Sequence, residues 1–169
     1  MLKIVRLLFA LQCVMMFSIE NANGTEEVCE LSNEYLEAMP TIEISLKRID
    51  GSDFSAQAKL ADNDLTRSAG FQRVCRETIE NTLILFLFDR PMRPSFHMHN
   101  VLAPIDIAFI KKSHEVESIQ SMLPYSVMLR SKPLYSPKSR VIAALEARED
   151  YFSNNNIKPG SQIFWKPIK

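Results

Sequence analysis

Residues 82–88 read Thr-Leu-Ile-Leu-Phe-Leu-Phe, a nearly continuous apolar run with the length of a β-strand. Asp89, Pro91 and Pro94 follow the run and mark its end. A continuous apolar run is typical of a strand that is covered on both faces, whereas a half-exposed strand alternates between apolar and polar residues. The run therefore predicts a buried strand with other elements packed against both of its sides.

The chain on the N-terminal side of this run alternates between apolar and polar residues, as a half-exposed strand does. In residues 41–47, Ile42, Ile44 and Leu46 share one face of an extended chain, and polar residues occupy the other. Asp50-Gly51 is a turn signal, so residues 54–60 are expected to form the return strand of a hairpin. These segments predict a half-buried hairpin beside the buried strand.

Short elements make up the rest of the predicted domain. Asp62 or Asn63 is expected to cap a short helix that Gly70 ends. Residues 141–145 are either a strand or the start of a helix running to Phe152. Further strands are predicted at residues 96–101, 105–110 and 162–165, with weaker candidates at 118–122 and 127–129.

Many short strands separated by turns predict a mainly β (α+β) fold, a compact β sandwich or barrel with one or two short helices. We place one domain at residues 54–169, preceded by an arm and first strand at residues 25–53. Of the 169 residues, 24% are charged and 46% are hydrophobic, and the formal net charge is zero. That composition excludes disorder and a strongly basic nucleic-acid footprint, so we expect no nucleic-acid partner.

The N-terminus has the pattern of a secretory signal peptide. Lys3 and Arg6 precede an apolar stretch at residues 7–19, and small residues lead to an expected cut after Gly24. We predict a signal peptide at residues 1–24 and an exported protein, periplasmic or secreted, that meets the membrane only through that segment. An uncleaved anchor or a buried N-terminal helix is the alternative.

Cleavage would remove Cys13 and leave two cysteines, Cys29 and Cys75. An even pair in an oxidising compartment indicates one disulfide. The alternative is two independent thiols.

With these segments in place, the chain resembles a bacterial and archaeal family, domain of unknown function 192. Residues 66–73 resemble its helix-and-glycine motif, and residues 86–89 the strand after it. Residues 96–110, Phe-His-Met-His-Asn-Val-Leu-Ala-Pro-Ile-Asp-Ile-Ala-Phe-Ile, resemble its signature, usually Phe-Trp-Met-Lys-Asn-Thr-Leu-Ile-Pro-Leu-Asp-Ile-Ala-Phe-Ile. Leu145-Glu146 and residues 157–160 fit its closing pattern. The resemblance spans residues 54–166 and implies a compact, mainly β fold, many exported members and no established activity.

The chain also departs from the family at several positions. His97 stands where Trp is usual and His99 where Lys is usual. The other departures are Val101 for Thr, Gln72 for Met, Asp150 for Gly and Ser161 for Asp. Whatever the usual Trp and Lys contribute elsewhere is therefore not carried over to this chain.

Polar residues of the signature are the first candidate site. Asp106 lies among apolar residues, where a carboxylate without partners would cost several kcal/mol. Arg73 and Asn100 are its expected partners, in a cluster that is either structural or lines a ligand cleft. Tyr135 is a further candidate for such a cleft, or an ordinary half-buried tyrosine.

The pair His97-x-His99 is a weak candidate for metal binding, because alternate residues of a strand project side by side. A third ligand would have to come from His114, Asp106 or a glutamate. Two exposed histidines are the alternative. We assign no cofactor and no catalytic residue, and the chain contains no Gly-x-Ser-x-Gly motif.

The sequence thus favours an exported binding or accessory protein of the cell envelope, whose partner is an unidentified ligand or envelope protein. One alternative is a metal-dependent or hydrolase-like enzyme that uses Asp106, Asn100 and the pair His97 and His99. A structural or assembly factor is the other.

Overall fold

A computed structural model describes residues 29–125 and 132–166. The predicted signal peptide and the candidate strand at residues 127–129 lie outside this part of the chain. No helix in the described residues combines the length and hydrophobicity needed to cross a membrane. The elements are α1 (Glu34–Ala38), β1 (Thr41–Lys47), β2 (Asp53–Ala61), α2 (Asp64–Ala69), α3 (Arg76–Asn81), β3 (Ile84–Met92), β4 (Ile105–Ile110), β5 (Val116–Met122), β6 (Val141–Arg148), α4 (Tyr151–Asn154) and β7 (Gln162–Trp165).

The strands form one sheet in the order β5-β4-β6-β3-β2-β1-β7. All neighbours are antiparallel except β2 and β3, which α2 and α3 connect. The two edges of the sheet meet where Val116 N–H donates to Ser161 O (2.8 Å) and Ile163 N–H donates to His114 O (2.9 Å). The mainly β prediction is confirmed, and of the two expected architectures the sheet adopts the barrel.

The interior of the barrel is the first core. Every strand contributes to it, and Ile44, Leu46, Leu85, Leu145 and Ile163 are fully buried there. The alternation predicted for residues 41–47 is confirmed, because all three of its apolar residues lie inside. The predicted hairpin is also present, as β1 and β2 pair in antiparallel register.

A second core covers the outer face of the central strands. Ile84 and Phe86 of β3 point into it, whereas Leu85 between them points into the barrel. The helical connection supplies Phe71 and Ile79 to this outer core. The prediction that residues 82–88 are covered on both faces is therefore confirmed where the run is most apolar.

The helices are shorter and more numerous than predicted. Asn63 caps α2, because its side chain accepts a hydrogen bond from Thr66 N–H (3.0 Å), and Gly70 ends the helix. Residues 141–145 belong to strand β6, so the alternative of a helix running to Phe152 is wrong. The described residues contain four short helices where one or two were expected.

Residues 96–101 do not form the predicted strand. Phe96 makes a single bridge with Tyr135, and the chain then turns at His99 and Asn100. Asn100 has a φ of 55°, in the left-handed region that an extended strand excludes. The alternation that predicted a strand arises because Phe96 and Met98 both anchor this loop in the outer core.

Cys29 and Cys75 form a disulfide with their Cα atoms 4.9 Å apart. Beside it, Glu30 N–H donates to Arg73 O (2.8 Å) and Cys75 N–H donates to Glu30 O (2.9 Å). The bond therefore fixes the N-terminal arm to the segment between α2 and α3.

We predict that this disulfide stabilises the domain, because it closes a loop of 46 residues. Reduction should lower the free energy of unfolding by about 2–4 kcal/mol and add two daltons to the intact mass. Urea unfolding and mass spectrometry with and without reductant measure both changes. A variant with Cys29→Ser and Cys75→Ser should match the reduced protein, and a protein insensitive to reductant would contradict the prediction.

Candidate functional site

A cavity of about 370 Å³ opens on the outer face of the sheet, beside α2. Phe71, Phe86, Phe88 and Phe96 line its apolar part, and Glu146 lies among them. We call it the Glu146 cavity. Its volume is within the range of about 300–1,000 Å³ that is usual for small-molecule sites.

Glu146 lies on β6, opposite Ile84 of β3 and Ile107 of β4. Its side chain is on the outer face of the sheet and is only 4% exposed. No described residue places a donor within hydrogen-bonding distance of its carboxyl oxygens, and its remaining exposure is toward the cavity. Burial raises the pKa of Glu146 to about 8. The carboxyl group therefore holds its proton at neutral pH.

Gly70 allows the backbone after α2 to pass over this carboxyl group. It has a φ of 49° and a ψ of −132°, a conformation that other residues rarely adopt. A Cβ atom here would lie 3.6 Å from Phe86 Cζ and 3.7 Å from Glu146 Oε2, which are ordinary contact distances. The backbone conformation, and not lack of space, is therefore the reason for glycine at this position.

Arg67 lines the cavity beside Gly70, but its charge is already paired. Its Nη2 lies 2.8 Å from Asp64 Oδ1, and its Nη1 donates to the carbonyl oxygens of Asp62 (2.7 Å) and Leu87 (2.9 Å). These bonds tie α2 to β3. Arg67 thus supports the wall of the cavity and forms no ion pair with Glu146.

Phe96 forms the opposite wall. Its ring meets the ring of Phe86 edge to face, with centroids 5.0 Å apart. Two backbone hydrogen bonds fix its position, since Phe96 N–H donates to Tyr135 O (2.8 Å) and Tyr135 N–H donates to Phe96 O (2.9 Å). Tyr135, a predicted site residue, therefore helps to fix the position of Phe96 in the cavity wall.

The residues of the predicted polar cluster lie in two places. Arg73 N–H donates to Asn100 O (2.7 Å), and both residues are exposed and line a groove beside the N-terminal arm. Asp106 is on the opposite side of β4, buried inside the barrel, where it accepts a hydrogen bond from Ser121 Oγ (2.7 Å). The structure thus brings Arg73 and Asn100 together and separates Asp106 from both.

The candidate metal ligands are also separate. His97 and His99 are exposed with ring centroids 6.2 Å apart, and His97 lines the mouth of the Glu146 cavity. His114 lies at the seam of the barrel, stacked on Phe164 at 4.9 Å. Within the described residues, no three His, Cys, Asp or Glu side chains are grouped so as to hold a metal ion.

Residues 46–165 match the profile of the family DUF192, described as "Uncharacterized ACR". The chain belongs to this family. The match begins within β1 and includes every wall of the Glu146 cavity. No curated protein matches the sequence.

Solved structures share the fold of this DUF192 chain. One, from Sinorhizobium meliloti 1021, is described as a candidate transcription regulator; it is 19% identical, with a TM-score of 0.67 over 75% of this chain and 95% of its own. Another, from Novosphingobium aromaticivorans DSM 12444, is described as a protein of unknown function. It is 20% identical, with a TM-score of 0.67 over 82% of this chain and 95% of its own.

Sequence reasoning missed Glu146 as a site residue. The sequence signal is an acid directly after the apolar residues 141–145, which looks like the end of a strand. In the structure β6 continues to Arg148, and Glu146 lies within its buried stretch.

We predict that Glu146 makes stability depend on pH. Its pKa is about 8 in the folded protein and near 4.5 when unfolded, so unfolding releases a proton between these values. The stabilisation is complete below pH 4.5 and is lost as the pH rises through 8, by about 3–4 kcal/mol from pH 5 to pH 8. Urea unfolding of the protein and of Glu146→Gln at both pH values isolates this contribution.

Glu149→Gln is the matched control, because Glu149 is an exposed acid three residues further along the chain. It should keep the pH dependence of the unmodified protein. Equal pH dependence in Glu146→Gln and Glu149→Gln would contradict the assignment.

Proposed function

We propose that this DUF192 chain is an exported binding protein of the cell envelope that takes a small ligand in the Glu146 cavity. One observation carries the proposal: a buried carboxyl group with no hydrogen-bond partner among the described residues faces a cavity of ligand size.

A carboxyl group is unusual at a position as buried as this one. No buried side-chain oxygen of the described residues lacks a partner, so the oxygens of Glu146 that have no protein donor are those that reach the cavity. Buried polar groups are nearly always hydrogen-bonded, and removing one from water without a full set of partners costs free energy. Its neighbours on β3 and β4 are isoleucines, so an apolar side chain would suit the same position. A ligand group that pairs with Glu146 would offset this cost and gives the residue a reason to be acidic.

The surroundings favour a preformed site. Glu146 belongs to a central strand with neighbours on both sides, and the main-chain ladders of β3 and β4 fix its position. Binding groups on rigid elements are held more precisely than groups on loops. The floor of the cavity therefore needs little reorganisation when a ligand enters.

The serines of the lining do not favour nucleophilic catalysis. A serine nucleophile is usually activated by a hydrogen bond from its hydroxyl to a base. In the part of the chain that the structure describes, neither Ser68 nor Ser95 of the lining has its hydroxyl bonded to a His, Asp or Glu. Asp106, which the enzyme hypothesis requires, does not line the cavity and accepts a hydrogen bond from Ser121 Oγ.

Two features support export. Residues 1–24 have the pattern of a signal peptide, and the disulfide of Cys29 and Cys75 is of the kind that persists in oxidising compartments.

We therefore predict that the mature protein begins at Thr25. Sequencing of the N-terminus, applied to protein recovered from the periplasm or the medium, gives the cut directly. A protein that retains residues 1–24 and stays inside the cell would contradict export, and it would leave ligand binding to be judged by the next experiment.

Ligand binding is tested by thermal melting against sugars, short peptides, amines and carboxylates. A ligand at about a hundred times its dissociation constant adds about 2.7 kcal/mol, which raises the melting temperature of a domain of this size by roughly 5–10 °C. We expect Ser95→Trp, which places a large side chain at the cavity, to abolish the shift.

Ser153→Trp is the control, because Ser153 is an exposed serine of α4 that does not line the cavity. It should keep the shift of the unmodified protein. A shift that survives Ser95→Trp, or a panel without any shift, would overturn the assignment of the cavity.

A further inference from the structure

We infer that the ligand of the Glu146 cavity carries an organic cation, an ammonium group that pairs with the carboxylate of Glu146 against the phenylalanine rings. The inference rests on the proposed function, since it names the chemical class that the same cavity takes.

The charges around the cavity favour a cationic ligand over an anionic one. Its charged lining residues are Asp64, Arg67 and Glu146, with His97 at the mouth. Arg67 and Asp64 neutralise each other at 2.8 Å. Once it is deprotonated, Glu146 is thus an acid without a counter-ion, and an anionic ligand would find no available arginine or lysine in the described lining. A ligand cation supplies the missing partner.

The apolar lining is suited to the same class. Four phenylalanine side chains border the cavity, and an aromatic face attracts a cation that lies within about 6 Å of it. Phe86 and Phe96 pack against each other edge to face with ring centroids 5.0 Å apart, so the two rings form a joined aromatic surface beside the cavity.

Binding of a cation must be coupled to a proton. In the empty cavity at neutral pH, Glu146 is protonated, because burial raises its pKa to about 8. An ammonium ion then enters as the carboxyl proton leaves to solvent, so one positive charge replaces another. At pH 7 this releases about 0.9 proton per ligand, and affinity should rise about tenfold from pH 6 to pH 7. A neutral ligand would release none.

The test is calorimetric titration of the full exported protein at pH 7 in two buffers that differ in ionisation enthalpy. The probes are alkylammonium ions from ethyl- to hexylammonium and tetramethylammonium, with the matched alcohols and carboxylates for comparison. The difference in binding enthalpy between the buffers gives the number of protons released.

We expect alkylammonium ions to bind with proton release. Glu146→Gln should weaken them about 10–100-fold, since a bond to a charged group is lost. Glu149→Gln should bind as the unmodified protein does. Glu146→Asp, which keeps the charge on a shorter side chain, should bind more weakly but still release a proton.

The outcomes separate the inference from the proposed function. Alkylammonium binding without proton release, or with equal affinity in Glu146→Gln, would overturn the inference. An alcohol or carboxylate that binds in place of the amines, and is lost in Ser95→Trp, would overturn the inference and leave the cavity as the binding site. If no probe of any class binds and the melting panel is flat, both proposals fail.

Discussion

The central strands β3, β4 and β6 have apolar side chains on both faces, and the rest of the fold serves to keep both faces from water. A flat sheet would need a separate covering layer on each face. Curling the sheet until β5 meets β7 covers one face with the sheet itself. The other face is then covered by the helical connection between β2 and β3 and by the loop that carries Phe96 and Met98.

The outer face of the sheet is covered by short helices and a loop, and the Glu146 cavity lies where these segments do not meet. The segment ending at Gly70 comes from one direction and the loop carrying Phe96 from the other, with β3 and β6 beneath both. A covering helix of many turns would fill such a gap with its own side chains. Here the gap is bordered by a carboxyl group and aromatic rings, which gives a stable barrel a chemically distinct opening.

Much of the barrel was predictable from the sequence, because burial on one or both faces leaves a direct pattern. The run at residues 82–88 and the alternation at residues 41–47 each have one structural interpretation. The pattern at residues 96–101 has two structural interpretations, since a loop anchored by Phe96 and Met98 shows the same alternation of buried and exposed residues as a strand. Only the left-handed turn at Asn100, which depends on the surrounding contacts, distinguishes the two cases.

The candidate site was less predictable, because it depends on which strands are neighbours. Asp106 and Glu146 are both acids within apolar segments, and the sequence does not say which is satisfied. Pairing of β4 with β5 brings Ser121 to Asp106, whereas pairing of β6 with β3 and β4 brings isoleucines to Glu146. Sheet order, and not local spacing, decides that one carboxyl group has a side-chain hydrogen-bond partner and that the other faces a cavity.

The closure of the barrel has a consequence for how the chain can assemble. Strand β7 is four residues long, yet it covers the edge of β1 and joins the start of β5. Until residues 160–166 have been synthesised, both of those edges are open, and open strand edges pair with other chains. Any condition that delays or truncates this short strand therefore leaves two strand edges open to pairing with other chains, so the smallest strand of the sheet protects two of the larger ones.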